Sequence, residues 1–182
     1  MPVAIPGIRG TDHIGFTVPD LDEAEDFLVG VLGAIRVYTL GSKQADDEWM
    51  TRQLGVHPRT AIREIRFYRL AHGSNLEVFQ YDSADGQSAQ PRNSDIGGHH
   101  LALYVDDMNG AVAYLREQGV EVMGDPVVSG GASTGQRWIY FRAPWGMQFE
   151  LVSYPDGKIY ETAVEYQDSA GSVLWHPARP AE

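Results

Sequence analysis

From residue 12 the chain reads Asp12-His13-Ile14-Gly15-Phe16-Thr17-Val18-Pro19-Asp20-Leu21, with apolar side chains at every second position. That period of two marks a strand with one buried face. The pattern returns in His100-Leu101-Ala102-Leu103-Tyr104-Val105-Asp106-Asp107-Met108. With His100 laid on His13, Leu101 matches Ile14, Leu103 matches Phe16, Val105 matches Val18 and Met108 matches Leu21. In each copy the histidine has the opposite parity to the apolar set, so its imidazole leaves the packed face.

An amphipathic helix is expected after each strand, over about 20–32 and again from Met108 to Gly119, with acidic or Asn residues at its start and Gly at its end. Each copy closes on a strand carrying one glutamate: Asn75-Leu76-Glu77-Val78-Phe79-Gln80-Tyr81 and Gln148-Phe149-Glu150-Leu151-Val152-Ser153-Tyr154. Large apolar neighbours flank each glutamate, which places the carboxylate opposite the helix. The chain is therefore a tandem repeat of a strand-helix-strands module.

The pattern divides the chain into a first module over 11–81, a linker over 82–97, a second module over 98–154 and an extension over 155–182. The first module carries an insertion over 41–59, whose centre, Asp46 to Leu54, predicts a short helix stopped by Gly55 and Pro58. Strands are expected around 34–40, 62–70 and 136–142. Gly130, Gly131 and Gly135 form no phosphate-binding fingerprint, since no helix follows them. Tyr160, Tyr166 and Trp175 in the extension are expected to pack on the body or on a partner.

Composition narrows the function classes. The 182 residues carry a net charge of −11, which argues against nucleic acid as a partner, because phosphate binding needs a basic patch. There is no cysteine, which fits a reducing compartment. No signal peptide is evident, and no stretch approaches the roughly 18 apolar residues that span a bilayer. A cytoplasmic protein with no membrane partner is expected.

His13, Glu77, His100 and Glu150 carry the chemistry. Neutral imidazole and carboxylate suit a divalent first-row metal and leave positions for water or substrate oxygens. A lone strand histidine is usually just hydrogen-bonded, but four such residues at matching repeat positions point to one metal site. Glu77 follows His13 by 64 residues and Glu150 follows His100 by 50; the excess of 14 falls where the insertion lies. His99 competes with His100, but its parity turns it toward the helix side. His57, His72 and His176 fall in turns or the extension and are read as surface residues. Tyr104 and Phe79 share the donors' parity and are expected to be pocket walls, with Trp49 and Met50 as a lid. Arg9, Arg63, Arg66 and Arg69 are candidates for contact with an anionic substrate.

The segments 12–21 and 98–107, together with Pro144-Trp145-Gly146-Met147-Gln148-Phe149-Glu150-Leu151, resemble the vicinal oxygen chelate superfamily. That group includes glyoxalase I, methylmalonyl-CoA epimerase, extradiol dioxygenases and bleomycin-resistance proteins. The resemblance covers about residues 11–154. It implies an α+β fold of two βαβββ modules forming a barrel-like cleft. It also implies one divalent ion (nickel, cobalt, zinc, manganese or iron) on His13, Glu77, His100 and Glu150, a set similar to that of bacterial-type glyoxalase I. The expected activity is a metal-dependent lyase or isomerase that chelates adjacent oxygens of a small molecule and stabilises an enediolate or enolate, with Glu77 and Glu150 as ligand and acid/base. The alternatives are an iron-dependent ring-cleaving dioxygenase and a metal-free antibiotic-binding protein. A homodimer is expected, since the linker permits exchange of halves and the aromatic extension supplies apolar area.

Overall fold

The computed structural model describes residues 5–7 and 10–159, so Arg9, His176 and the aromatic residues of the extension lie outside the described residues. The chain divides into two compact units between Ser88 and Ala89. The first contains β1 (His13–Thr17), α1 (Leu21–Glu25), β2 (Ile35–Leu40), α2 (Asp47–Leu54), β3 (Thr60–Arg69) and β4 (Asn75–Ser83). Its sheet order is β1-β4-β3-β2, with β1 parallel to β4 and the other pairs antiparallel. The second contains β5 (His100–Tyr104), α3 (Met108–Glu117), β6 (Glu121–Val128), β7 (Arg137–Arg142) and β8 (Gln148–Ser153), in the matching order β5-β8-β7-β6. Each unit is a βαβββ module of the α+β class, as the repeat implied.

Local chemistry starts the helices where the sequence indicated. The Asp20 carboxylate accepts from the backbone N–H groups of Asp22 and Glu23 at 2.8 and 3.0 Å, and these bonds lower its pKa. Asp107 caps α3 by accepting from Gly110 N–H at 3.0 Å. The expected first helix is not uniform. After Glu25 it widens into a π-helical turn over Asp26–Val31, where Leu32 N–H donates to the Phe27 carbonyl at 3.0 Å. That turn holds Val29, Gly30 and Val31, residues of low helix propensity.

One face of each sheet meets its helix. In the first unit Phe16, Leu76, Val78 and Tyr68 are buried with Leu21, Ala24, Phe27 and Leu28. In the second, Ile139, Phe141, Phe149 and Leu151 are buried with Met108, Val112 and Leu115. Each of the Val, Leu, Ile, Phe and Met side chains among them contributes about 1.5–3 kcal/mol of transfer free energy.

Arg66 lies within the first of these packed layers. Its guanidinium donates to the Leu21 carbonyl at 2.9 Å, to Glu25 at 2.7 Å and to Asp22 at 2.6 Å, and it also bonds Glu64. Burial disfavours its charge, but the bonds to Glu64 and Asp22 outweigh that and leave its pKa raised. The Tyr68 hydroxyl donates to the same Glu25 carboxylate at 3.3 Å, and burial, followed by that carboxylate, pushes its pKa up to about 12. Arg66→Met keeps the stem but removes the bonds to the Leu21 carbonyl, Asp22 and Glu64, and leaves Glu25 with only Arg36 and Tyr68. It is expected to lower stability by about 1–3 kcal/mol, read as a lower urea midpoint with an unchanged m-value.

The insertion forms α2 between two clear signals. Asp46 accepts from Trp49 N–H at 2.9 Å, and Gly55 ends the helix with φ of 66°, a conformation that favours glycine. Paired backbone bonds between Lys43 and Ile62 tether the insertion to β3. Met50 is fully buried against Ile62 and Ile65, with Trp49, Phe79 and Tyr81 packed around them. Register places Ile65, Phe79 and Tyr81 on the face opposite α1, so α2 covers part of that other face. One outer strand of each sheet is irregular: pairing shifts between Arg36 and Tyr38 in β2 and between Met123 and Val127 in β6. Among the described residues no helix is long and apolar enough to cross a membrane.

Candidate functional site

Residues directly opposite on paired strands point to the same side, so register locates the polar donors. In the first unit His13 pairs with Asn75, Gly15 with Glu77, and Phe67 of β3 with Glu77 from the other side. His13 and Glu77 therefore share the face opposite α1. His13 Nε2 lies 3.2 Å from Glu77 Oε2. In the second unit His100 pairs with Gln148, Ala102 with Glu150, and Tyr140 of β7 with Glu150. His100 Nε2 lies 3.0 Å from Glu150 Oε2.

The agreement extends to the neighbours. A small residue, Gly15 or Ala102, faces each glutamate across the parallel pair. A Cβ built on Gly15 would meet only Phe79 and Glu77 atoms at 3.7–4.0 Å, ordinary contact, so the first unit has room for the alanine that the second carries. An aromatic ring sits edge-on to each imidazole: Phe67 with its centroid 5.8 Å from that of His13, and Tyr140 5.1 Å from His100. Tyr38 stacks on Phe67 at 4.8 Å, and Trp138 lies 5.1 Å from Tyr140.

The two pairs differ in electrostatics. His13 Nδ1 is held 2.8 Å from the Asp12 carboxylate. That bond is the main cause of a raised pKa; burial opposes it, and the charges of Glu77 and Asp12 add to it. Glu150 is only 7% exposed. Burial raises its pKa, and the nearby His100 offsets part of the rise. Burial also raises the Tyr140 and Tyr81 hydroxyls, with Glu150 and Glu77 respectively as the second cause.

These donors suit a divalent ion. Two ligands bound to one ion at about 2.1 Å are separated by about 3.0–3.4 Å for octahedral to tetrahedral angles, which is the spacing in each pair. With Nδ1 of His13 turned to Asp12, Nε2 is left as the metal-facing nitrogen, the usual support for a ligating imidazole. Within each unit the donors come as a pair, and among the described residues no group of three or more His, Asp or Glu is gathered to hold an ion.

Other sequence candidates fall elsewhere. His99 precedes β5, exposed, with Nδ1 2.9 Å from the Gly97 carbonyl oxygen. His57 and His72 are exposed. Arg63 pairs with Asp82 at 2.5 Å and Arg66 is committed to α1, while Arg69 donates to the Ala71 carbonyl at 2.9 Å. Arg66 is thus a structural residue rather than a substrate contact. Phe79 and Tyr104 stand on the donor faces, opposite Thr17 and Val152. Met50 is fully buried against Ile62 and Ile65, with Trp49 beside it. Sequence reasoning missed the support that Asp12 gives His13, although an acidic residue directly before that histidine was visible. It also passed over Tyr140, whose register against Glu150 shows only once the strands are paired.

Comparison with known proteins agrees with this fold. A glyoxalase family protein from Bacillus cereus superposes with a TM-score of 0.62 at 21% identity, covering 82% of this chain and 98% of that one. The fosfomycin resistance protein FosX from Listeria monocytogenes, in its complex with Mn(II) and sulfate, gives a TM-score of 0.53 at 21% identity over 80% and 93% of the two chains. A 2-epi-5-epi-valiolone epimerase from Actinomyces sp. is 48% identical over 179 residues, 97% of each chain. The family model for the glyoxalase/bleomycin resistance protein/dioxygenase superfamily matches residues 12–141, and the chain belongs to that superfamily.

Proposed function

We propose that the protein is a metal-dependent epimerase of a small hydroxylated ketone, 2-epi-5-epi-valiolone or a close analogue. The observation that carries this reading is the near-full-length 48% identity to the Actinomyces epimerase. The two His–Glu pairs support it, because inverting a carbon requires a proton to leave and return, and two carboxylates beside the donors could handle it. A hydrogen on the carbon beside a ketone is the one that such chemistry can reach.

His13, Glu77, His100 and Glu150 would together hold one divalent ion, each unit giving a pair, either within one chain or between two copies. The ion would supply Lewis acidity to the adjacent substrate oxygens and so acidify the neighbouring C–H. Glu150, buried and with a raised pKa, is the better matched of the two carboxylates to take and return a proton near neutrality. Asp12 would fix the His13 ring. Phe67, Tyr38, Tyr140 and Trp138 offer flat surfaces for a ring substrate. The absence of cysteine is consistent with a cytoplasmic setting.

The test follows 2-epi-5-epi-valiolone in D2O by NMR, with metal-loaded, chelated and reloaded protein. Deuterium should enter at one carbon beside the ketone as the epimer forms, cease on chelation and resume on reloading. Full activity of protein shown by elemental analysis to be free of metal would refute metal dependence. Iron together with oxygen consumption would indicate ring cleavage instead.

A homodimer is also proposed. Ile35, Val37 and Leu40 of β2 are all well exposed, an apolar strip that a second copy could cover. Sedimentation at micromolar concentration should give twice the 20.1 kDa chain mass; a single-chain mass would remove the claim.

A further inference from the structure

We infer that Asn93, in the segment leading into β5, is a positioning residue for His100: its side-chain amide turns over to support the imidazole both with and without a metal ion, which rests on the metal site proposed above. His13 and His100 each place Nε2 beside a glutamate, at 3.2 and 3.0 Å. Their Nδ1 atoms have different partners. His13 Nδ1 faces the Asp12 carboxylate at 2.8 Å, whereas His100 Nδ1 faces the Asn93 amide, with Nδ2 at 3.5 Å. A carboxylate only accepts hydrogen bonds, so Asp12 keeps a proton on Nδ1 of His13. A carboxamide has a donor end and an acceptor end, so Asn93 suits either tautomer of a neutral ring.

Local bonds close the turn that carries Asn93. Asp95 N–H donates to the Arg92 carbonyl at 2.9 Å, and Arg92 N–H donates to the Asp95 carboxylate at 2.8 Å. Gly98 N–H donates to the Asp95 carbonyl at 2.8 Å. A Cβ on Gly98 would collide with the Arg92 carbonyl oxygen, so the chain passes closer here than a larger residue permits. These contacts bring Asn93 back to the start of β5. The same turn occupies the neighbouring histidine, because His99 Nδ1 lies against the Gly97 carbonyl oxygen at 2.9 Å. Two adjacent imidazoles are thereby sorted, one onto the turn and one onto the donor face.

The two ends of the amide answer two states of the ring. Without an ion, Nε2–H donates to Glu150 and Nδ1 accepts from the Asn93 amide nitrogen. With an ion, Nε2 must present its lone pair. One proton then leaves Nε2 for solvent, and Nδ1 takes one from solvent. The Asn93 carbonyl oxygen accepts that new Nδ1–H once the amide has turned over. At 3.5 Å the contact is long for a hydrogen bond and Asn93 is exposed, so little opposes the turn.

The experiment uses full-length wild type, Asn93→Asp and Asn93→Ala with 15N-labelled histidine rings. NMR reads the His100 tautomer without metal, at alkaline pH where imidazole is neutral, and again with zinc; calorimetry reads zinc affinity. Wild-type His100 should carry its proton on Nε2 without metal and on Nδ1 with zinc. Asn93→Asp, which can only accept, should carry it on Nδ1 in both states. Asn93→Ala should bind zinc about 10-fold more weakly, the lower end of the range for losing a supporting partner. Its zinc-bound Nδ1–H should also exchange faster with solvent. A metal-free Asn93→Asp that keeps the wild-type tautomer would overturn the inference, as would wild-type zinc affinity in Asn93→Ala; neither result touches the metal site itself. Failure of all three proteins to bind zinc would overturn the metal site, and the tautomer of metal-free Asn93→Asp would then decide the role of Asn93.

Discussion

Replacing Glu150 with Gln is expected to lower turnover by a factor on the order of 10² to 10⁴, the range for losing a positioned general base. The substitution keeps the shape that fits beside Ala102 and Tyr140 but removes the charge. Glu77→Gln should cost less, because Glu77 is the more exposed carboxylate, with 22% of its side chain accessible against 10% for Glu150. Metal occupancy must be measured alongside. A larger loss for Glu150 at similar occupancy assigns it the proton; equal losses that track occupancy make both residues ligands only.

The same variant has an opposite expected effect on stability. In the metal-free protein, burial raises the Glu150 pKa. The folded state then binds this proton more tightly than the unfolded state, so stability is present at low pH and lost as pH rises through the raised pKa. At neutral pH the metal-free Glu150→Gln protein should melt higher than wild type, and the gap should close toward pH 4. A gap that widens on acidification would contradict the burial argument.

The second large effect is on metal binding. His13→Ala or His100→Ala should each weaken binding by more than the 10–100-fold typical of losing a supporting partner, whereas Asp12→Asn should fall within that range. His99→Ala should bind as wild type does. If His99→Ala strips the metal and His100→Ala does not, the functional register of β5 is one residue off and every donor-face assignment on that strand falls with it.

Much of this architecture was legible because strand parity is a strict signal. A period of two leaves no intermediate state, so the opposite parity of His13 and Glu77 to their apolar neighbours placed both on one side before any pairing was known. The α2 boundaries were legible for a similar reason, since Asp46 and Gly55 are local caps. Arg66 was not. Its partners, Asp22 and Glu25, lie more than 40 residues away, and no local pattern tells a strand arginine facing a helix from one facing solvent. The π-helical turn was equally hidden, because Leu21, Ala24, Phe27 and Leu28 keep ordinary helical spacing and the widening shows only in the backbone bonds that follow them. Whether the two donor pairs meet on one ion is a matter of how the copies combine, which no strand-level pattern encodes.

The shifts in β2 and β6 bear on how the protein avoids joining the wrong company. Each is one of the two outer strands of its sheet, and among the described residues one row of its amide and carbonyl groups has no neighbouring strand. An even row of that kind is a template on which foreign chains can add and grow into fibrils. The irregularity between Arg36 and Tyr38, and its counterpart between Met123 and Val127, break the spacing at mid-strand in both copies. A stranger's backbone would fall out of step after a few residues. Straightening β2 by deleting Val37 would restore the even row, and the first sign of trouble would then be aggregation rather than lost catalysis.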